Sequence, residues 1–348
     1  MPEIDLPLVT IGIPCLNEER FIEKCVADAL AQDYPADRIE VVVADGGSSD
    51  RTREILDELS AREPRLRWVD NPERIQAAAM NEIIRSAKGD VLVRLDAHCE
   101  YAANYVSKCI EALQETGAMN AGGSQRARAD NWFQRALCAA MESRLGVGGA
   151  SYKDASKSGF VDTVFCGAFR REVFEQVGMY DPRAITNEDA ELNQRILEAG
   201  GKIYLSAEIE AYYYPRDSFR SLSKQYFKYG TGRARTLLKR GRFPRISPAL
   251  PFLMTMGGAV LLLTRPHKPS TWFAFGAYAA LTGLEAVRVG RKVGPWAVPV
   301  VWGIFPTLHV SHGLGFAYGL LRYARNPDWT DPELLPPRSQ YAGSGGSV

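Results

Sequence analysis

Several features that would settle a chain's class at once are missing here. Its six cysteines (Cys15, Cys25, Cys99, Cys109, Cys138 and Cys166) contain no C-x-x-C pair. Neither a zinc site nor a disulfide framework is signalled, and buried free thiols in a reducing compartment are the expectation. Met1 to Pro7 holds two acids, two prolines and no apolar run, so no cleaved signal peptide is expected and the chemistry should face the cytoplasm. Forty-two Lys and Arg against 41 Asp and Glu leave a formal charge of +1. Bulk electrostatics therefore select no partner and give no reason to expect nucleic acid.

What is present is a repeated layout of apolar strand, polar turn and helix. Val9 to Pro14 reads as a strand, followed by Asn17-Glu18-Glu19 opening a helix with acids in its first turn. Ile39 to Ala44 is a wholly apolar second strand that ends in Asp45-Gly46-Gly47-Ser48-Ser49-Asp50. Leu66 to Val69 and Asp90 to Leu95 follow as third and fourth strands, with helices at Thr52 to Leu59 and Ala77 to Ala87. Apolar strands alternating with helices predict an α/β fold with a mostly parallel central sheet covered on both faces. Val161 to Phe165 is expected as a strand and Gly146 to Gly159 as a loop near the substrates. Ile203 to Leu205 and Ile209 to Tyr214 read as separate strand pieces.

The last third differs. From Arg216 to Arg245 there are ten Lys or Arg and one acid, Asp217. That run precedes three apolar stretches: Ser247 to Thr264, Thr271 to Leu284, and Gly294 to Leu321 with prolines at 295, 299 and 306. The first and third reach the 18 or so residues of a membrane-span candidate, while the second is marginal. Two or three spans or re-entrant hairpins are expected, broken at the prolines, with the basic segment against anionic headgroups. The domain expectation is a catalytic domain over 1–243 (216–243 being the basic interfacial segment), membrane-embedded helices over 244–325 and a disordered tail over 326–348.

The chemistry concentrates at strand ends. Asp96-Ala97-His98 directly follows the fourth strand, and ligands of open α/β sheets bind at the carboxyl ends of strands. A carboxylate and an imidazole one residue apart can hold a divalent ion and the diphosphate it carries. Asn187-Glu188-Asp189 opens a later helix and offers a base.

Together these segments resemble family 2 glycosyltransferases of the GT-A fold, inverting enzymes that use nucleotide-diphosphate sugars. They come nearest to the membrane-attached succinoglycan-type glucosyltransferases of exopolysaccharide synthesis. The motifs that carry the resemblance are Ile13-Pro14-Cys15-Leu16-Asn17-Glu18-Glu19, Val43-Ala44-Asp45-Gly46-Gly47-Ser48-Ser49-Asp50, Asp96-Ala97-His98 and Asn187-Glu188-Asp189. The resemblance implies donor binding by Pro14, Asn17, Glu18, Asp45, Gly46 and Asp96, with Asp45 accepting from the uracil imide. Arg74 to Asn81 resembles the diphosphate-lining segment, with Gln76 at its usual basic position, Arg74 supplying the charge instead, and Asn81 closing it. Asp96 and His98 stand where the family holds Mg²⁺ or Mn²⁺, and His98 replaces a second Asp, which suits Mn²⁺ better.

Asp189 is implied as the base, and Glu188 as the residue that orients or binds acceptor. Phe165 to Arg171, with Cys166 and Gly167, resembles the loop closing on sugar and acceptor. Gln225 and Arg233 resemble part of the Q-x-x-R-W motif of processive synthases, without its Trp. The implied activity is hexose transfer, from UDP-glucose in the first instance, to a polyprenyl-diphosphate-linked sugar at the inner or plasma membrane, with membrane lipids as further partners. The alternatives are transfer to polyprenyl phosphate, giving a lipid-monophosphate sugar, and a tethered scaffold that binds nucleotide or glycan without turnover.

Overall fold

A computed structural model describes residues 6–147, 156–184, 186–241 and 247–325. Most of the expected substrate loop, Arg242 and Arg245 of the basic run, and the tail from 326 lie outside the described residues.

In chain order the strands are β1 (Val9–Cys15), β2 (Ile39–Asp45), β3 (Leu66–Asp70), β4 (Val91–Arg94), β5 (Cys99–Tyr101), β6 (Asn120–Ala127), β7 (Gly159–Phe160), β8 (Phe165–Arg170) and β9 (Ile203–Tyr213). The helices are α1 (Ile22–Leu30), α2 (Thr52–Arg62), α3 (Gln76–Ser86), α4 (Tyr105–Thr116), α5 (Trp132–Met141), α6 (Arg144–Val147), α7 (Glu172–Val177), α8 (Glu188–Glu198), α9 (Phe219–Arg240), α10 (Leu250–Thr264), α11 (Pro269–Gly290) and α12 (Ala297–Arg325). The described residues form two compact units, one of 6–126 with 156–213 and one of 127–147 with 214–325.

The first unit is built on one sheet in the order β3-β2-β1-β4-β8-β6-β9-β5, with β7 beside β9. β3, β2, β1 and β4 are parallel. β8 pairs antiparallel with β4 and β6, and β9 pairs antiparallel with β5 and β7, so the sheet is mixed rather than mostly parallel. Four residues connect β4 to β5, which pairs with β9 at the far edge of the sheet, and Asp96 and His98 sit on that connection. Val9, Ile11, Ile13, Val41, Val43, Val91 and Val93 are fully or nearly fully buried and fill the core with α1, α2 and α4. Register sets Cys15 opposite Asp45, and Asp45 opposite Asp70, so the ends of β1, β2 and β3 share one edge.

The second unit is helical, around Phe133, Leu137, Leu222, Ala286, Val301 and Phe305. α12 runs so close to α9 that a Cβ at Gly315 would lie 2.0 Å from the Phe227 carbonyl, and one at Gly230 2.1 Å from that of His312. The three apolar runs are all helical, but among the described residues no helix is long and apolar enough to cross a membrane. α10 has 15 residues, about 22 Å at 1.5 Å per residue against a hydrocarbon core of about 30 Å. α11 carries Glu285 and Arg288, and α12 starts after Pro295 and continues through Pro306 instead of breaking there. α10 buries none of its side chains. Leu263, Trp272, Phe273 and Leu284 are among the most exposed apolar residues of the chain.

Candidate active site

The loops after β1 and β2 are laced together. The Asn17 amide N–H donates to Ser48 Oγ at 2.8 Å, and Asn17 Oδ1 accepts from the Ser49 N–H at 2.8 Å. The Glu18 N–H donates to Thr52 Oγ1 at 2.9 Å and the Arg51 N–H to Glu19 Oε2 at 3.0 Å. Gly47, at φ +74° with open space where a Cβ would stand, lets the backbone turn, so the glycine requirement falls there rather than at Gly46. Pro14, Asn17, Glu18 and Gly46 thus lie in one neighbourhood. Arg74 joins it, its Nη2 3.4 Å from the Gly47 carbonyl.

Asp45 does not offer its carboxylate outward. Its side chain is fully buried and accepts from the Gly47 and Ser48 N–H groups at 3.0 Å, from the Ser48 hydroxyl, and from Arg53 Nε at 2.6 Å. Burial pushes the carboxyl up, but Ser48 and Arg53 outweigh it and hold it below the usual range. These contacts close the Gly46–Ser48 turn.

The second cluster joins residues almost a hundred positions apart. Arg94, the last residue of β4, is 3% exposed. Its Nε donates to Asp96 Oδ1 at 2.9 Å, and its Nη1 to Asp189 Oδ1 at 2.5 Å and Glu188 Oε1 at 3.2 Å. Gln76, the first residue of α3, donates Nε2 to the same Asp96 oxygen at 3.1 Å. Tyr101 Oη accepts from the Asp96 N–H at 2.6 Å, and His98 Nδ1 lies 3.2 Å from Glu18 Oε1. Burial raises Asp96, yet the charge of Arg94 overrides it and the carboxyl sits below the usual range. Glu188 goes the other way: burial and the neighbouring Asp189 charge push it up to about 7. Asp189 is raised too, by burial first, with Arg94 pulling against it.

Sequence reasoning assigned no role to Arg94, although a cation closing an otherwise apolar strand was a legible signal. Among the described residues, four non-glycine residues have left-handed φ: Asn17 (57°), Arg74 (60°), Cys166 (45°) and Asn187 (61°). Three of them immediately precede or flank the two clusters just described, where backbone strain concentrates in functional sites.

Other expected site residues are placed elsewhere. Asn81 is 3% exposed, and its amide is closed on Tyr180: Nδ2 donates to the Tyr180 carbonyl at 2.8 Å and Oδ1 accepts from its N–H at 2.9 Å. It clamps the Tyr180 backbone. Cys166 and Gly167 are not on a closing loop but in β8, where Val93 pairs with Ala168. Burial raises the Cys166 thiol far above its ordinary value, which disfavours a thiolate. Gln225 and Arg233 lie on α9 in the second unit.

No three His, Cys, Asp or Glu side chains among the described residues gather as a closed metal cage. Asp96, a hard carboxylate, and His98, an imidazole, lie on the same β4–β5 connection, and an ion held by them would take most of its coordination from phosphate oxygens and water. A divalent ion carried by a diphosphate fits that donor set.

Residues 10–178 match the family described as glycosyl transferase family 2. The chain is 35% identical over 301 residues to the succinoglycan biosynthesis protein ExoA of Rhizobium meliloti (strain 1021), covering 86% of this chain and 85% of that protein. It is 28% identical over 322 residues to the dolichyl N-acetyl-alpha-D-glucosaminyl phosphate 3-beta-D-2,3-diacetamido-2,3-dideoxy-beta-D-glucuronosyltransferase of Methanococcus voltae, covering 90% and 97%. The solved structure of the mannosyltransferase PcManGT from Pyrobaculum calidifontis in complex with GDP-Man and Mn²⁺ superposes with a TM-score of 0.60 at 21% identity, over 91% of this chain and 88% of that one. It shares the GT-A fold. With the strand-end loops laced as described and this likeness running along most of both chains, the protein belongs to glycosyl transferase family 2 and is a glycosyltransferase.

Proposed function

We propose that the enzyme transfers a hexose, glucose from UDP-glucose being the first donor to test, to a saccharide carried on polyprenyl diphosphate, with inversion at the sugar carbon. The observation that carries this reading is the Arg94 cluster, which ties the strand-end acid Asp96 to the helix-start acid Asp189. One acid faces the leaving diphosphate and the other the incoming hydroxyl. The names of two relatives, one in succinoglycan biosynthesis and one acting on a dolichyl-linked sugar phosphate, support a lipid-linked acceptor and a place in exopolysaccharide or envelope glycan assembly.

In this mechanism the loops from Pro14 to Glu18 and from Asp45 to Ser48 seat the nucleoside. Arg74 and Gln76 approach the diphosphate. Asp96 and His98 would hold a Mg²⁺ or Mn²⁺ ion, which when bound neutralises charge on the departing diphosphate. Asp189 takes the proton from the acceptor hydroxyl at Oδ1 or Oδ2, the carboxylate being about a third exposed. Glu188, buried beside it and holding its own proton near neutral pH, orients the acceptor by donating a hydrogen bond.

The same reading sets the enzyme at the cytoplasmic face of the cell membrane. α10 and α11 lie in one leaflet through Leu263, Trp272, Phe273 and Leu284, as exposed apolar area of this kind supports. Asp189→Asn tests the chemistry: with purified full chain, UDP-glucose, Mn²⁺ and lipid extract, sugar transfer should fall about 10²- to 10⁴-fold, while donor binding persists. Unchanged transfer refutes the base assignment. Co-sedimentation with phosphatidylglycerol vesicles tests the membrane face, and a Trp272→Ser, Phe273→Ser double variant should weaken it. Equal partition of variant and parent would refute that contact surface.

A further inference from the structure

Arg94 has no part in the mechanism above beyond standing between the two acids, yet its placement is demanding. A guanidinium this deeply buried is tolerated only when paired and hydrogen-bonded. Here the pairing is threefold: Asp96, Glu188 and Asp189 all receive its N–H groups. The contacts are divided within the fork. Nε serves Asp96 alone, and Nη1 serves Asp189 and Glu188. The backbone on either side is held as well. β4 pairs with β1 through Gly12 and Arg94, and Tyr101 holds the Asp96 N–H. On the other side, Asn187 enters α8 at φ +61°, so the acids Glu188 and Asp189 begin the helix directly beside the guanidinium.

We propose that Arg94 is a positioning residue for sugar transfer, a rigid fork that fixes the base Asp189 at a set distance and angle from the diphosphate-facing acid Asp96. The inference rests on the reading of Asp189 as base. Its physical content is that planar guanidinium nitrogens hold two carboxylates at a fixed separation and angle, whereas an ammonium, with rotatable donors on one nitrogen and a flexible stem, fixes neither. Charge alone would leave Asp189 free to turn toward solvent through its exposed edge. Displacing a reacting group by about 1 Å can cost about 10²-fold in rate.

The test uses Arg94→Lys, which keeps the charge, and Arg94→Met, which removes it, each in the full chain with the donor active in the assay above. Arg94→Lys should lower kcat about 10²-fold while the donor KM stays within about threefold. Arg94→Met should lose at least as much, and if it fails to fold, Arg94→Lys alone carries the test. The Arg94→Lys, Asp189→Asn double variant should be no slower than Asp189→Asn alone, because a residue acting through Asp189 has nothing left to position. Three results overturn the proposal. One is a kcat for Arg94→Lys within twofold of the parent while Asp189→Asn is crippled. The second is a raised donor KM at unchanged kcat. The third is a double variant whose losses multiply. If Asp189→Asn itself turns over normally, the base assignment falls first and this inference falls with it.

Discussion

Replacing Glu188 by Gln isolates one charge in the Arg94 cluster and gives a stability change that grows as pH rises. The Glu188 carboxyl is buried against Asp189 and pushed from 4.5 up to about 7, so between those values the folded chain holds a proton that the unfolded chain has released. Stability must then fall as pH rises through that window, by about 1.4 kcal/mol per unit. Over two and a half units the loss is about 3 kcal/mol, complete only above the folded value. Gln keeps the shape and the acceptor that Arg94 Nη1 uses, and it cannot ionise. At pH 5 variant and parent should therefore unfold within about 1 kcal/mol of each other, and at pH 8 the variant should be more stable by about 2–3 kcal/mol. Urea titrations followed by tryptophan fluorescence at the two pH values, with slopes compared to exclude a change in exposed area, read this directly. An offset of the same size at both pH values, or a parent that gains on the variant as pH rises, would refute the reasoning.

Two further variants test the structural contacts of Asn81 and Gly167. Asn81→Ala strips both partners from the buried Tyr180 backbone and should cost about 2–6 kcal/mol, from two unsatisfied groups at about 1–3 kcal/mol each; a urea midpoint matching the parent would show that the clamp is dispensable. Gly167→Ala places a Cβ 2.1 Å from Asn120 Oδ1 in the core of β8, and about 1–3 kcal/mol of destabilisation is expected from overpacking. A mobile loop at that position would accept the alanine without loss, so an unchanged melting temperature would return Gly167 to a loop.

The parallel half of the sheet was legible because its strands are uninterrupted apolar runs. β1, β2 and β4 follow the expected segments closely, and their carboxyl ends carry the motifs. The antiparallel half was not, for reasons visible in particular residues. β8 contains Gly167 and ends in Arg170 next to Arg171, a composition that reads as loop. In the fold those arginines close on backbone carbonyls: Arg170 donates to Ala118 and Leu113, and Arg171 to Gly89, which leaves the strand free to be buried. β9 reads as two pieces because Ser206, Ala207 and Glu208 interrupt its apolar pattern, yet the ladder runs on from Ile203 to Tyr213. The apolar helices were found as helices, and hydropathy alone did not register that α11 carries an ion pair, Glu285 with Arg288, in its second half.

The site shows a different limit. Residue type at a strand end or helix start marks which side chains are candidates for chemistry, here Asp96, Glu188 and Asp189. It does not say which of their lone pairs the fold has already taken. Asp45 and Asp96 look alike in sequence, each an acid ending an apolar strand. Yet the first is sealed by a serine and an arginine from its own loop, while the second is held by groups from β4 and α3. The distinguishing feature is where the neutralising arginine comes from. Arg53 is eight residues downstream of Asp45, belongs to the helix that the turn initiates, and also pairs with Asp70 at 2.6 Å. Arg94 neutralises Asp96 from within the strand while also reaching Asp189, 95 residues away, so its pairing spans the site. Both arginines are shared between acids, but Arg53 joins the ends of the neighbouring strands β2 and β3, whereas Arg94 joins a strand end to the start of a helix 95 residues along the chain.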